Sequence, residues 1–566
     1  MALAGSVPQL PFSLETETAQ SLQAQQTAGT LTAETLTRAY LARIAAANAE
    51  GPAVQAVRSL NASAVTEARA LDQERRRSGP RGPLHGIPVL LDDSFDVEGL
   101  PTTAGSIALQ SSMPSDDAAV VAQLRAAGAI ILGKTNVTEL NGVFDANLPE
   151  GYSSLGGQVL LPSDTDKTVA GSSAGSAAAT SSGLAALTIG METGTDVGAQ
   201  LIAPAGVAGV VGLKPTVGLV DGDGVLPAAS SQDSFGPLTR SVYDAAVALD
   251  AVDTASVDYT AGLSPSALVG EKVAVVAGGT GPYPSAVASV QALGATTSEV
   301  ALGAPTTRPS IVLREFGQDL DTYLTGASGG ASSLDEVIEY NAANPVEGLK
   351  YQQNELLAAS SATMETYESD LTVGRAESAA VIDSVLSSGH DVIMVPSNST
   401  LVGIADRAGY PVLTVPAGEG TGNAGRNPIG VTFVGTAGSE ASLLAAGYAF
   451  EQGHSYDRRA PGVTNPSMWR CTPGGSFFTG ELCNPGDEGE ALAELVDGVG
   501  PGRSWATLVS QIQSAKSDDR PAIACSLIDA LVSNVGRSGR GVPATTAAPI
   551  TTEASRLGAV TGCAPR

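Results

Sequence analysis

Residues 170–220 have the sequence AGSSAGSAAATSSGLAALTIGMETGTDVGAQLIAPAGVAGVVGLKPTVGLV. The segment begins with glycine, serine and alanine, and Ser172 and Ser173 stand at the start of a predicted helix, where serine hydroxyls often cap backbone N–H groups. Further along, GVVGL is a short apolar run bounded by glycine, which is typical of a buried strand. A Gly/Ser-rich run alone could belong to a flexible linker, so the rest of the chain decides how this segment folds.

Short apolar runs recur on both sides of this segment. They are rich in Val, Ile and Leu and are bounded by Gly or Pro: GIPVLL (86–91), AIILG (129–133), DVIMVPS (391–397), YPVLTVPAG (410–418) and NPIGVTFVG (427–435). Helical patterns such as DDAAVVAQLRAAG (116–128) and SVYDAAVALDAV (241–252) lie between them. Buried strands that alternate with helices predict an α/β sheet covered on both faces.

The chain divides into three predicted regions. Residues 1–82 are expected to be helical and to pack on the core, because apolar residues recur there at three- and four-residue spacing. Residues 83–458 form the predicted α/β core. Residues 459–566 form a smaller C-terminal extension, since the composition changes there to proline-, glycine- and threonine-rich sequence.

Composition limits the possible partners. The 566 residues carry a formal net charge of −28, and a surface of that sign repels nucleic acid and anionic lipid. No run of 18 apolar residues occurs, so we expect neither a nucleic-acid nor a membrane partner. No metal or organic cofactor is expected either, because no ligand cluster or phosphate-binding turn is visible. The sequence gives no oligomeric state.

The four cysteines, Cys471, Cys483, Cys525 and Cys563, all lie in the predicted extension. Their spacing fits no zinc site, and we expect two disulfides, with buried free thiols as the alternative. Three connectivities are possible, of which Cys471–Cys483 with Cys525–Cys563 closes the shortest loops. Disulfides favour a secreted or extracytoplasmic protein, whereas the N-terminus MALAGSVPQLPF shows no signal peptide. A mature form without its leader reconciles the two observations, and a cytoplasmic location stays open.

Three blocks, in order, resemble the amidase signature family over residues 15–455. They are LHGIPVLLDDSFDVEGLPTTAGS (84–106), the segment 170–220, and AGYPVLTVPAG (408–418) with NPIGVTFVGTAGSEASLL (427–444). The resemblance implies a central mixed β-sheet with helices on both faces. It also implies amide cleavage by a serine nucleophile, whose proton passes through a second serine, held by a cis peptide bond, to a neutral lysine.

Two of these three positions differ in this chain. The bridging serine corresponds to Ser172, with Ser173 beside it, but the lysine position holds Asp92. An aspartate cannot become the neutral amine that the relay uses. Its neighbour Asp93 matches an acid that is usual in the family.

The nucleophile position depends on the alignment, because the segment after Ser172 is four residues longer than is typical of the family. Aligning APAGVAGVVGLKP puts Gln200 there, and aligning AALTIGMETG puts Asp196 there; neither is a serine. Thr193 or Thr195 could stand in if the extra residues redirect the turn. By the same resemblance, the pocket or oxyanion turn comprises Thr195, Val197, Gly198 and Ala199.

Each of these residues also has a structural interpretation. Asp92 could be a solvated or capping acid, Gln200 a hydrogen-bonded filler, and Ser172 and Ser173 helix caps. Lys134 and Lys214 are expected to be structural, and His85, His390 and His454 receive no role.

Three functions stay open. The first is binding of an amide- or carbonyl-containing small molecule in the inherited pocket without hydrolysis. The second is a repurposed enzyme in which Asp92, Asp93, Ser172 and Ser173 perform acid–base chemistry such as cyclisation, isomerisation or elimination. The third is amide hydrolysis by a substitute threonine.

Overall fold

The computed structural model describes residues 10–48, 53–194, 199–255, 257–306, 311–420 and 427–454, with Tyr456. In the last hundred residues it describes 503–517, 521–537 and the single positions 493, 496, 547, 550, 551 and 554. No described helix is long and apolar enough to cross a membrane.

One mixed sheet of eleven strands forms the centre of the fold. In spatial order its strands are β1 (Val57–Leu60), β3 (Ile130–Thr135), β2 (Pro88–Asp92), β8 (Leu187–Glu192), β10 (Ser234–Thr239), β9 (Val211–Lys214), β14 (Val412–Glu419), β15 (Pro428–Val434), β13 (Val392–Pro396), β11 (Lys272–Val276) and β12 (Thr296–Val300). Two short hairpins pair β4 (Tyr152–Ser153) with β5 (Gly157–Gln158) and β6 (Leu160–Leu161) with β7 (Asp164–Thr168).

The sheet is mixed because only some neighbours run parallel. Strand β2 is parallel to β3 and β8, and β11 is parallel to β12 and β13. The remaining neighbours in the sheet are antiparallel. Every residue of β2, β3 and β8 is buried, and side chains alternate between the two faces of a strand, so both faces are covered. The predicted α/β fold with a central mixed sheet is therefore confirmed.

The helices are distributed along the whole chain. They are α1 (Ala19–Thr27), α2 (Ala33–Ala47), α3 (Ala64–Ser78), α4 (Ala119–Ala126), α5 (Ala174–Ser181), α6 (Ile202–Ala208), α7 (Val242–Val252), α8 (Tyr283–Ala292), α9 (Val312–Leu324), α10 (Leu334–Ala343), α11 (Pro345–Gly348), α12 (Asn354–Ser360), α13 (Tyr367–Leu386), α14 (Leu401–Ala408), α15 (Glu440–Gly453), α16 (Arg503–Ser517) and α17 (Pro521–Arg537), with 3-10 turns at Ile107–Leu109 and Glu139–Gly142.

The N-terminal region contains one element that helical periodicity does not predict. Residues 57–60, between α2 and α3, form strand β1, which pairs antiparallel with β3 at the edge of the main sheet. The region predicted as helical thus also supplies an edge strand.

Helix α5 packs very closely on the sheet, and a glycine makes this possible. A Cβ atom on Gly175 would lie 2.2 Å from the carbonyl oxygen of Asn136 and 2.5 Å from that of Ala56. Any side chain at this position would push the helix away from the backbone beneath it. The Gly/Ser-rich segment is therefore a tightly packed helix start, and a flexible linker is excluded.

The described part of the C-terminal extension has its own hydrophobic cluster. Trp505 is buried in it, with residues of α16 and α17, including Ile512, Ile528 and Leu531. Cys525, on α17, is disulfide-bonded. The other three cysteines lie outside the described residues, so the two-disulfide pairing stays a prediction.

Candidate functional site

Ser172 lines a cavity of about 230 Å³ together with Thr138, Gly142, Asp145, Ala146, Leu148, Glu150, Gly171, Gln200 and Glu355. The peptide bond between Gly171 and Ser172 is cis. The Ser172 carbonyl accepts a hydrogen bond from the Thr138 N–H at 3.0 Å. The Ser172 hydroxyl is buried and has no hydrogen-bond partner among the described residues. A buried hydroxyl without a partner is unfavourable unless water or a ligand pairs with it.

Gln200 lies in the same cavity and is held at several atoms. Its side-chain amide donates to the Asn141 carbonyl at 2.6 Å, and its side-chain carbonyl accepts from the Thr193 N–H at 3.1 Å. The Gln200 backbone carbonyl accepts from the Ser173 N–H at 2.9 Å. These contacts fix the carboxamide, so the interpretation of Gln200 as a hydrogen-bonded side chain agrees with the geometry.

Glu192 holds the turn that carries Gln200, a role that the sequence did not reveal. Its buried carboxylate accepts hydrogen bonds from the backbone N–H groups of Gln200, Leu201 and Ile202, at the start of α6. A carboxylate at a helix start pairs N–H groups that have no partner inside the helix. The sequence shows an acid in the segment just before this short helix, but its spacing from the helix does not identify it as the residue that caps the helix.

Asp92 lies beneath the start of α5 and is 1% exposed. One carboxylate oxygen accepts from the Ser173 hydroxyl at 2.5 Å, and the other accepts from the Thr135 hydroxyl at 2.8 Å and from the Ser176 hydroxyl. Burial raises the pKa of Asp92 to about 6, even though these hydrogen bonds lower it. The solvated-acid interpretation of Asp92 is therefore wrong, because the carboxyl is enclosed by three hydroxyl groups.

Ser173 does not cap the helix with its side chain, contrary to the sequence expectation. The structure finds no side-chain cap hydrogen bond at Ser173, although its backbone begins α5. Its hydroxyl is engaged by Asp92 and by the backbone of Met191 instead. The charged acceptor takes the hydroxyl because hydrogen bonds to a carboxylate are stronger than those between neutral groups.

Asp93 faces a different set of partners from Asp92. Its carboxylate contacts the Lys134 ammonium at 3.4 Å and the Arg58 guanidinium at 3.8 Å, and it accepts from the Thr103 hydroxyl. Burial lowers the pKa of Lys134, while Asp93 opposes that change. Asp93 and Lys134 thus form a buried ion pair, as expected for a structural lysine.

The predicted turn residues Thr195, Val197 and Gly198 lie outside the described residues, as does Asp196, the alternative nucleophile position. Ala199 is half-buried and packs against the main core. The Thr193 hydroxyl donates to Asp233 at 2.6 Å, and burial raises the pKa of Asp233 to about 6. Thr193 does not line the Ser172 cavity.

The other side chains that could act as a base, Lys214 and the three histidines, do not line the Ser172 cavity. The Lys214 ammonium donates to the backbone carbonyls of Tyr410 and Pro215, and burial lowers its pKa. His85, His390 and His454 do not line the Ser172 cavity. Among the described residues no group of acidic, histidine or cysteine side chains could hold a metal ion.

Among the described residues, three other cavities are larger, at about 260, 330 and 390 Å³. Volume alone would favour them as ligand sites. None of the site residues predicted from the family resemblance lines any of these three cavities, however, whereas Ser172 and Gln200 meet in the smaller one. We therefore take the Ser172 cavity as the candidate site.

The cavity is suited to polar recognition. The Ser172 hydroxyl can donate to a carbonyl oxygen or accept from an amide N–H. The structure brings Ser172 and Gln200 into one cavity and places Asp92 outside its lining, in contact with Ser173.

Comparison with known proteins supports the fold and the motifs. The amidase family model matches residues 35–402. A probable amidase of Arabidopsis thaliana is 32% identical over 473 residues, covering 78% of this chain and 90% of that protein. The native peptide amidase of Stenotrophomonas maltophilia has a similar structure, with a TM-score of 0.72 and 36% identity over 77% of this chain and 96% of that one.

A second solved structure agrees with the first. An amidase family protein of Bacillus anthracis gives a TM-score of 0.74 and 30% identity, covering 79% of this chain and 92% of that chain. Sequence and structure thus agree over most of the length of each relative. The chain belongs to the amidase family.

Proposed function

We propose that this protein binds a small amide- or carbonyl-containing molecule in the Ser172 cavity and does not hydrolyse it. The observation that carries the proposal is the Ser172 hydroxyl, which is buried, lines the cavity and has no partner among the described residues. A ligand carbonyl or amide would supply the missing hydrogen bond.

The side chain of Gln200 argues against hydrolysis. By the alignment on APAGVAGVVGLKP it occupies the position of the serine nucleophile, and a carboxamide nitrogen is not nucleophilic. Both ends of the carboxamide are also hydrogen-bonded, to Asn141 and Thr193. Gln200 is thus suited to shaping the cavity wall.

The surroundings of Asp92 argue against the family's proton relay. By resemblance Asp92 occupies the lysine position, but its two oxygens accept from Ser173, Ser176 and Thr135. Ser172, the residue that would pass on a nucleophile's proton, is not among these partners.

A second candidate function is acid–base catalysis on the same class of molecule. The pKa of Asp92, raised to about 6 by burial, favours it, because such a carboxyl exchanges protons near neutral pH. In this candidate function, Ser173 would have to pass the proton from Asp92 to Ser172, which lines the cavity and would pass it to the ligand. This candidate is supported if the wild type converts a bound ligand and Asp92→Asn abolishes the conversion without weakening binding. Unchanged conversion in Asp92→Asn would exclude it.

Hydrolysis by a substitute threonine has less support. The Thr193 hydroxyl donates to Asp233 and does not line the cavity, and Thr195 lies outside the described residues. Thr195→Ala tests the remaining residue, since preserved amide hydrolysis in that variant would exclude Thr195.

The proposed binding is tested by a panel of small primary amides and their ketone analogues, with thermal unfolding as the readout. We expect at least one compound to raise the melting temperature of the wild type and to lose that effect in Ser172→Ala.

Ser112→Ala is the matched control, because Ser112 is also a buried serine whose hydroxyl lacks a partner among the described residues, yet it does not line the cavity. Equal stabilisation of Ser172→Ala and Ser112→Ala would contradict a role for the Ser172 hydroxyl in binding.

A further inference from the structure

The Ser172 cavity carries an unbalanced set of charges. Asp145, Glu150 and Glu355 line it, and none of its described lining residues is basic. Lys350 lies five residues before Glu355 in the sequence, but its ammonium lies over the rings of Tyr152 and Tyr351, at 4.7 and 5.1 Å from their centres. The described lining of the cavity therefore contains three acidic residues and no basic one.

Two of these acids, Asp145 and Glu150, differ in how far their oxygens already accept hydrogen bonds. Asp145 accepts hydrogen bonds from the backbone and side chains of Asn147 and Asn354. Burial raises its pKa, but these hydrogen bonds outweigh burial and the net pKa is lowered. Asp145 thus stays charged near neutral pH, although its oxygens are occupied.

Glu150 is the acid best placed to contact a ligand directly. Glu150 is exposed, yet partial burial raises the pKa of its carboxyl, and burial is the only cause. No described residue donates a hydrogen bond to this carboxyl, which leaves its oxygens available to a donor in the cavity. A positively charged donor would favour the ionised form of Glu150.

The cavity volume limits the size of the ligand. About 230 Å³ lies below the range of about 300–1,000 Å³ that is usual for pockets of drug-sized ligands. The unpaired Ser172 hydroxyl and the acidic groups line one cavity, so a small molecule could contact both.

We propose that the Ser172 cavity selects a small amide or carbonyl compound that also carries a positively charged amine. The carbonyl group pairs with the Ser172 hydroxyl, and the ammonium group lies among the carboxylates, with Glu150 as its direct partner. This inference rests on the proposed binding function and adds the charge of the ligand to it.

Three amides with five carbon atoms each test the selection: 5-aminopentanamide, which is a cation, pentanamide, which is neutral, and 4-carbamoylbutanoate, which is an anion. Their dissociation constants are measured with the full chain at pH 7 by ligand-observed NMR titration. We expect the cation to bind about tenfold more tightly than the neutral amide and the anion to bind most weakly, with the preference shrinking at high salt.

Substitutions of the acidic lining residues test whether these residues cause the preference for the cation. Glu150→Gln and Glu355→Gln together should bring the affinity for the cation close to that for pentanamide, whose own affinity should change little. Glu339→Gln is the control, because Glu339 is exposed on α10 and does not line the cavity. It should leave the cation preference intact.

The outcomes separate this inference from the proposed function. If pentanamide binds in a Ser172-dependent manner and the cation binds no more tightly, the charge selection is wrong and the binding function stands. If Glu339→Gln reduces the preference as much as the cavity variants do, the preference comes from the overall charge, and the assignment to this cavity is wrong. If none of the three amides binds, both proposals fail.

Discussion

The buried carboxyl of Asp92 makes stability depend on pH. Its pKa is about 6 in the folded chain against 3.8 for an unperturbed aspartate, so the folded state binds the proton more tightly. Its contribution to stability is therefore fully present below pH 4 and is lost as the pH rises through 6. Between pH 4.5 and 7 this one group should remove about 2 kcal/mol from the free energy of unfolding.

Asp92→Asn should abolish that dependence. The difference in unfolding free energy between wild type and variant, from urea titrations at pH 4.5 and 7, should change by about 2 kcal/mol, with the wild type relatively more stable at low pH. Asp116→Asn, at an exposed site, serves as the control and should show no such change. A difference that does not vary with pH would contradict the burial of an ionisable Asp92.

Gln200 should contribute to folding as well as to the cavity. In Gln200→Ala the Asn141 carbonyl and the Thr193 N–H lose their partners, and we expect a loss of about 2–4 kcal/mol in the free energy of unfolding. Gln110→Ala, at an exposed position, should change it by less than about 0.5 kcal/mol. If Gln200→Ala also lost less than about 0.5 kcal/mol, the Gln200 carboxamide would not be held by the hydrogen bonds described above.

The sequence predicted which residues line the cavity better than it predicted the hydrogen-bond partners of those residues and of Asp92. The motif pointed to Ser172 and Gln200, and they meet in one cavity, where the Ser173 N–H donates to the Gln200 carbonyl. The partners of Asp92 could not be foreseen, since Thr135, Ser173 and Ser176 come from strand and helix segments more than forty residues away. Only the packing of α5 on the sheet determines which hydroxyls reach the carboxylate.

The start of helix α6 depends on a single acid. Glu192, at the end of β8, accepts from three consecutive N–H groups there, so the strand and helix are coupled through one side chain. Glu192→Ala should therefore loosen the turn that carries Gln200.

Hydrogen exchange measures this loosening directly. In Glu192→Ala we expect amide exchange in residues 200–208 to accelerate at least tenfold, while residues 174–181 of α5 keep their wild-type rates. Equal acceleration in both segments would indicate global destabilisation, and unchanged rates in 200–208 would show that Glu192 is not the cap.

Elements were predicted best where the periodicity was strong. The buried runs at 86–91 and 129–133 became β2 and β3, because continuous apolar sequence bounded by glycine or proline suits a strand covered on both faces. Strand β1 was missed, since VRSL has little apolar character, and its edge position is set by pairing with β3. Helix α6 was equally hard to predict, because the carboxylate of Glu192 caps its start and nothing in the spacing marks that acid as a cap.

The molecule as a whole has two hydrophobic clusters among its described residues. The larger one covers the sheet and its helices, and the smaller one contains Trp505 with parts of α16 and α17. Since the clusters share no residue, we expect calorimetry to resolve two unfolding transitions.

Trp505→Ala should identify the transition of the smaller cluster. Removing a buried tryptophan costs about 3–5 kcal/mol, which should shift that transition down or abolish it and leave the transition of the larger cluster unchanged. A common shift of all unfolding signals would mean that both clusters unfold as one unit.

The most direct test of the central proposal is whether the protein retains a reactive nucleophile. The full chain is incubated with a fluorophosphonate probe and, separately, with primary amides that bind it, and intact mass and released ammonia are measured beside an active serine amidase. We predict no covalent adduct and no ammonia above background, even at ligand concentrations that stabilise the fold. A stoichiometric adduct that maps to residues 172–200, or catalytic release of ammonia, would contradict binding without hydrolysis.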